Sequence, residues 1–143
     1  MKLTIKTIQY LIILALLLSL NACTTTKVEK GGSYKVKGKT YTLLKSAKGY
    51  KAKGTASFYG KRFHNRKTSN GERYNMYSMT AAHPTLPFNT RLQVKNIKNG
   101  KTVVVRVNDR GPFYSARIID LSYAAANRLG ISSTSTVEIK ALG

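Results

Sequence analysis

The sequence predicts a small, mainly β domain closed into a barrel, carried behind an export signal and a basic arm. Three observations point there. Short alternating runs of apolar and polar residues, separated by glycine- and asparagine-rich junctions, fill the chain from residue 54 onward; one stretch alone has helical character; and an apolar, uncharged run near the N-terminus stands apart from both. Many short strands with a single helix favour closure, because a closed sheet leaves no edge to recruit other chains.

In chain order, residues 1–22 read as a signal peptide. Lys2 and Lys6 make a short positive region, and Ile8 to Leu20 is almost wholly apolar, shorter than the roughly 20 residues that span a bilayer. Leu20-Asn21-Ala22-Cys23 resembles the bacterial lipobox, so Cys23, the single cysteine of the chain, is expected to be acylated and to become the mature N-terminus. Its acyl chains would hold the protein on a membrane at about 0.8 kcal/mol per buried CH₂. Thr24, a residue other than Asp, favours the periplasmic face of the outer membrane in such lipoproteins.

Residues 23–53 form a lipidated basic tether and extended arm. Nine lysines and one acid, Glu29, lie between Thr24 and Lys53, which suits a flexible charged segment. Tyr34, Val36, Tyr41 and Leu43 nevertheless alternate around Gly38, predicting a short hairpin within it. The compact domain, 54–143, opens with a strand over Thr55–Gly60 and a polar loop over residues 61–75. Arg91–Ile97 alternates, Thr102–Val107 is β-branched, and Asn99-Gly100 between them predicts a type I′ hairpin turn. Leu121–Leu129 is the helix, with Asp120 placed to cap its N-terminus and Gly130 its C-terminus. Residues 134–141 alternate again and make the last strand.

The chain has 25 Lys and Arg against 5 Asp and Glu, a formal +20; without Lys2 and Lys6 it keeps 23 − 5, or +18. An exported protein does not meet the chromosome, so nucleic acid is set aside as the partner of this charge. Anionic phospholipid and the acidic stem peptides of peptidoglycan remain, both through contacts that salt weakens.

Acids are informative here because they are scarce. Beyond the tether there are Glu72, Asp109, Asp120 and Glu138, the last an ordinary surface charge in an alternating strand. Asp109 leaves the most apolar strand at a turn, where it either bonds the turn backbone, pairs with Arg110, or faces a ligand. Asp120 is either a helix cap or a functional acid. Two carboxylates and His83 suffice for acid/base work on a glycosidic bond, where a leaving oxygen must be protonated. His64 has no partner at metal-ligand spacing, and neither a phosphate-binding glycine loop nor a Gly-x-Ser-x-Gly elbow occurs, so no metal or other cofactor is expected.

Several blocks then fall into one order: Gly54-Thr-Ala-Ser-Phe-Tyr-Gly60, Thr68-Ser-Asn-Gly-Glu72, Met79-Thr-Ala-Ala-His83, Val105-Arg-Val-Asn-Asp-Arg-Gly-Pro-Phe113 and Arg117-Ile-Ile-Asp-Leu-Ser-Tyr-Ala-Ala-Ala126. Together they resemble the rare lipoprotein A family of septal-ring lytic transglycosylases. The resemblance implies a six-stranded double-psi β-barrel with one or two short helices, and cleavage of the bond between N-acetylmuramic acid and N-acetylglucosamine to leave a 1,6-anhydro end. It carries Glu72, His83 and Asp109 over as the active constellation, adds Asp120 from the wider barrel superfamily, and implies Tyr59, Arg110 and Asn70 as sugar contacts. Phe58 stands where the family commonly has Trp, Asn75 where an Asp often follows, and Leu43 where a Pro is frequent. The competing expectation is a non-catalytic, expansin-like module that docks on wall polymers. In either case the partners are peptidoglycan strands and, through Cys23, a membrane, with the protein acting as a monomer.

Overall fold

A computed structural model describes residues 32–114 and 116–143; the signal segment and Cys23 lie outside the described residues. The arm does form a hairpin. Strand β1 (Ser33–Val36) pairs antiparallel with β2 (Lys39–Thr42), placing Tyr34 opposite Tyr41. Lys37 and Gly38 both take positive φ, 48° and 80°, as a two-residue turn of matching twist requires.

Six strands close the barrel: β3 (Lys51–Phe58), β4 (Thr80–Ala82), β5 (Arg91–Asn96), β6 (Thr102–Asp109), β7 (Arg117–Leu121) and β8 (Ser135–Ala141). Around the ring they run β3-β7-β4-β6-β5-β8, with the β3/β7 and β4/β6 pairs parallel and the others antiparallel. The alternation that marked β5 and β8 becomes strict inside-out burial, Leu92 and Val94 facing Val137 and Ile139 within one core. The first barrel strand starts at Lys51, four residues before the run read from the sequence, because Ala52 already packs on that core.

Two local expectations are corrected. The helix α1 spans Tyr123–Leu129, and its N-cap is Ser122, whose hydroxyl accepts from the Ala125 N–H at 3.2 Å. Asp120 is not the cap: it lies inside β7, paired with Ser57 and Ala82. Gly130 does cap the other end, in the left-handed region at φ 69°. The β5–β6 connection is also longer than a type I′ turn, since only Gly100 has positive φ and Asn96 N–H bonds across to the Lys101 carbonyl. Asn96 and Asn99 instead turn their amides to the Leu129 carbonyl, each at 2.9 Å, and so tie the hairpin to the open end of α1.

Gly54 is a close-approach glycine: a Cβ there would lie 2.7 Å from Ile118 Cγ2, a methyl on a β-branched side chain whose rotation is restricted. Gly54→Ala is therefore expected to cost about 1–3 kcal/mol of overpacking. Thermal denaturation beside Gly60→Ala, where nothing lies within 4 Å, checks this; equal midpoints for the two variants would refute it.

Candidate active site

The site begins with a register relation. Ala82, last residue of β4, is the Cα partner of Asp109 on one side and of Asp120 on the other. Two strand spacings put those backbones roughly 10 Å apart on a rigid sheet. The two acids, 11 positions apart in the chain, are brought together by a short strand that contributes no acid of its own.

Their surroundings differ sharply. Asp109 is filled by donors: Oδ1 accepts from Ser69 N–H at 2.9 Å, Ser69 Oγ at 2.6 Å and Arg110 N–H at 2.8 Å, and Oδ2 accepts from the Tyr59 hydroxyl at 3.0 Å. It bonds the turn backbone, as one sequence reading held, while the Arg110 guanidinium goes elsewhere, donating to the His83 and Leu86 carbonyls and lying 3.8 Å over the Phe88 ring. Asp120 is nearly the reverse. Its Oδ1 is buried without a hydrogen bond; Arg117 Nη1 stands 3.4 Å away, close enough for Coulombic attraction but outside hydrogen-bond geometry. Burial raises the Asp120 carboxyl above its ordinary value, Arg117 offsets part of this, and the Asp109 charge adds to it.

Glu72 is a fixed anion. Arg106 grips it with a two-pronged fork, Nη1 to Oε1 at 2.7 Å and Nη2 to Oε2 at 2.9 Å, while Asn108 Nδ2 reaches Oε2 at 3.1 Å and Asn70 Nδ2 reaches Oε1 at 2.9 Å. The Arg106 bonds above all, then that of Asn108, hold its pKa at about 2, so it cannot serve as a proton donor near neutrality. Asn70 is equally committed, its Oδ1 accepting from the Thr68 hydroxyl and the Glu72 N–H. Replacing Glu72 with Gln breaks the fork that seats the 68–72 loop on β6. With the side chain 40% exposed, solvent screening limits the expected loss to about 1 kcal/mol, readable as a lower melting midpoint. An unchanged midpoint would show that the fork adds nothing to the hold on the loop.

His83 is 2% exposed. Its Nδ1 accepts from the Thr85 and Leu86 N–H groups at 3.2 and 3.0 Å, which assigns the ring proton to Nε2 and makes Nε2 the donor to the Tyr50 hydroxyl at 3.1 Å. Burial first, and the Arg110 charge second, lower its pKa to about 4. The ring is a neutral post that shapes the 83–86 turn, and the His83 backbone N–H donates to the Asp109 carbonyl. Tyr59 packs its ring between Phe63 and Tyr74, and burial and the two nearby acids push its phenol well above the usual tyrosine range, so it stays a donor to Asp109.

Thus Glu72 and Asn70 form one hydrogen-bonded cluster and Asp109, Tyr59, Arg110 and His83 a second, joined through the backbone at Ser69-Asn70 and Asn108-Asp109, and Asp120 stands beside them across β4. Sequence reasoning missed Ser69, Arg106, Asn108, Arg117 and Tyr50. Arg106 was findable, as a charge inside the apolar run of β6; Tyr50 was not, since nothing local ties it to His83. An open basin on the outer face of β3, β8 and β5, lined by Lys51, Lys53, Lys95 and Lys140, lies across the barrel from β4 and contains Glu138 as its lone acid.

A closed six-strand barrel with two parallel pairs and a polar network at the ends of β4, β6 and β7 defines the double-psi class. The sequence profile of a family described as "Lytic transglycolase" matches residues 51–141. Similar over 75–80% of the chain are proteins named endolytic peptidoglycan transglycosylase RlpA: that of Pseudomonas aeruginosa, 54% identical, and that of Vibrio cholerae serotype O1, 55% identical. The matched segments make up 33% and 41% of those two proteins, so this chain corresponds to well under half the length of either. Among solved structures, a Streptomyces papain inhibitor superposes with a TM-score of 0.53 at 23% identity over 66% of this chain and 96% of its own. An expansin of Clavibacter michiganensis gives 0.52 at 22% identity over 66% of this chain and 51% of its own. At such identities the two structures speak to the fold alone. The chain belongs to the RlpA family of double-psi β-barrel proteins.

Proposed function

We propose that this protein is an endolytic lytic transglycosylase that cleaves the MurNAc-GlcNAc bonds of peptidoglycan and leaves 1,6-anhydro ends. The observation that carries the reading is Asp120: a half-buried acid with an unbonded oxygen, displaced toward its protonated form, beside Asp109 and Glu72, whose carboxylate oxygens all accept hydrogen bonds. A general acid needs a proton to give and a carboxyl not already tied up by donors; burial shifts Asp120 toward the first, and its unbonded Oδ1 supplies the second.

In the proposed step Asp120 gives its proton to the glycosidic oxygen as the bond from that oxygen to the muramic anomeric carbon breaks. The muramic C6 hydroxyl closes on the same carbon, forming the C1–O6 bond, and its proton passes to the Asp120 carboxylate, which restores the acid. No water enters. The nucleophile is part of the substrate and needs only to be held in place. Asp109, Glu72 and His83 position the loops that shape the groove: Asp109 orients Tyr59 and residue 69, Glu72 pins the 68–72 loop, and His83 sets the 83–86 turn. Arg110 and Tyr59 act through this framework.

The chemistry is assigned to the barrel, which opens at Lys51, with residues 23–50 as tether and arm. An acylated Cys23 would keep the protein, as a monomer, at the periplasmic face of the outer membrane, within reach of the wall. Incorporation of labelled palmitate into wild type and its absence in Cys23→Ala tests that anchoring.

The second reading is a binding module without chemistry, favoured by the lysine-lined outer face of β3, β8 and β5. Digestion of purified peptidoglycan followed by mass spectrometry of the fragments separates the readings. Anhydro ends support the transglycosylase, new reducing ends would replace it with a hydrolase, and unchanged strands would leave only the binder.

A further inference from the structure

The N-terminal hairpin precedes the segment matched by the family profile, yet it is built into the domain rather than trailing from it. The Leu44 N–H bonds to the Thr85 carbonyl at 2.9 Å and the Tyr34 hydroxyl to the Pro84 carbonyl at 2.7 Å, both in the turn that His83 shapes. Tyr34 and Tyr41 stack at 5.3 Å, and Phe113 meets them edge-on at 6.1 and 5.5 Å. These rings fasten the hairpin to the connection between β6 and β7, the connection that leads to Asp120.

Beyond that seam lies a feature with no structural use. Tyr114 is 60% exposed, with Lys37 Nζ from the hairpin turn 5.1 Å from its ring centroid and the Arg117 guanidinium 4.6 Å from it. Arg117 in turn reaches to within 3.4 Å of Asp120. A continuous path therefore runs from the acid, through a cation and an open aromatic ring, to a second cation. The hairpin itself is lysine-rich, and residues 32–53 include no Asp or Glu to neutralise it. Had the ring served the core it would be covered, yet it stands open with one cation from the hairpin and one from β7 against it.

We propose that Tyr114, Lys37 and Arg117 form a substrate subsite flanking Asp120, which takes a pyranose ring carrying a carboxylate substituent. The sugar lies against the exposed tyrosine face, and Lys37, on a long side chain at an exposed turn, swings from the ring to the carboxylate. The hairpin is thus one wall of the substrate groove. This rests on the glycan-cleaving reading given above for its substrate, although binding can be measured without cleavage.

The test uses the full chain and purified sacculi. Co-sedimentation at several salt concentrations gives binding, and release of soluble fragments gives turnover. Lys37→Gln and Tyr114→Ala, both at exposed positions, are each expected to weaken binding about tenfold and to raise KM with kcat unchanged. Lys37→Gln should also flatten the salt dependence, which loss of packing would not do; Lys37→Arg should restore binding. Strands stripped of their peptides by an amidase locate the carboxylate, because the lactyl carboxyl is tied up as an amide until the peptide is removed: a Lys37 effect that grows on stripped strands assigns it to the lactyl group, and one that vanishes assigns it to the peptide. Wild-type binding and KM in the Lys37→Gln/Tyr114→Ala double variant would overturn the subsite while leaving the enzymatic reading intact. Weakened binding by the variants, with no cleavage by the wild type, would retire the enzyme and keep the subsite.

Discussion

Asp120→Asn is expected to lower turnover of peptidoglycan by a factor of about 10² to 10⁴, the range a positioned general acid contributes. The fold should survive, because Asp120 Oδ1 has no hydrogen bond to lose and burial already disfavours its charge. Asp109→Asn should behave differently. It sets an amide among the donors of Tyr59, Ser69 and the Arg110 backbone, so stability and activity fall together. The pH profile supplies a second readout. The active form is the protonated acid, and burial moves its pKa upward, so kcat/KM should fall as pH rises through a value above the usual carboxylate range. That descending limb should be missing from any residual activity of the Asn variant. Wild-type turnover by both single variants would sink the assignment of the acid to this pair.

The second large effect concerns stability at His83. Its imidazole satisfies two backbone N–H groups and fills a buried site, so His83→Ala leaves a cavity and two orphaned donors and should cost about 3–5 kcal/mol. The pH dependence has a definite sign. The folded pKa is about 4 against 6.5 for the free side chain, so between those values the unfolded chain binds the extra proton and stability climbs with pH. From pH 8 down to pH 5 the loss should be roughly 2 kcal/mol, because each pH unit over which only the unfolded chain is protonated costs about 1.4 kcal/mol. Glu72 stabilises in a different window: its pKa is about 2 against 4.5, so its contribution is present above 4.5 and lost between 4.5 and 2. Urea denaturation at pH 8, 6.5 and 5 avoids the Glu72 window, and carrying it out on Asp120→Asn removes the opposing contribution of that raised carboxyl and isolates the histidine. A flat curve for that variant over the interval would mean that His83 is hydrated.

Most strands were legible because inside-out alternation is a local signal. Arg91–Asn96 and Ser135–Ala141 alternate in sequence as they do in burial, and Tyr34 and Tyr41 alternate around a turn that needs positive φ. The errors also have local causes. Asn99-Gly100 read as a tight turn because that pair favours one, yet Asn99 is drawn to the Leu129 carbonyl, 30 positions away. Asp120 read as a helix cap because it stands just before a helix, yet β4 and β3 extend β7 through it and leave Ser122 to cap.

Residue order alone accounts for the basic surplus, the strand-rich class, and the small set of residues able to carry acid/base chemistry. Which of those residues is free to react was decided by closure of the barrel. Proton-transfer capacity depends on the donors and the dielectric around a carboxylate, and these come from residues about 40 positions distant: residue 69 fills Asp109, while Ala82 wedges Asp120 into the sheet with its Oδ1 unbonded. Local pattern reports which way a side chain points, and long-range packing reports what it meets there.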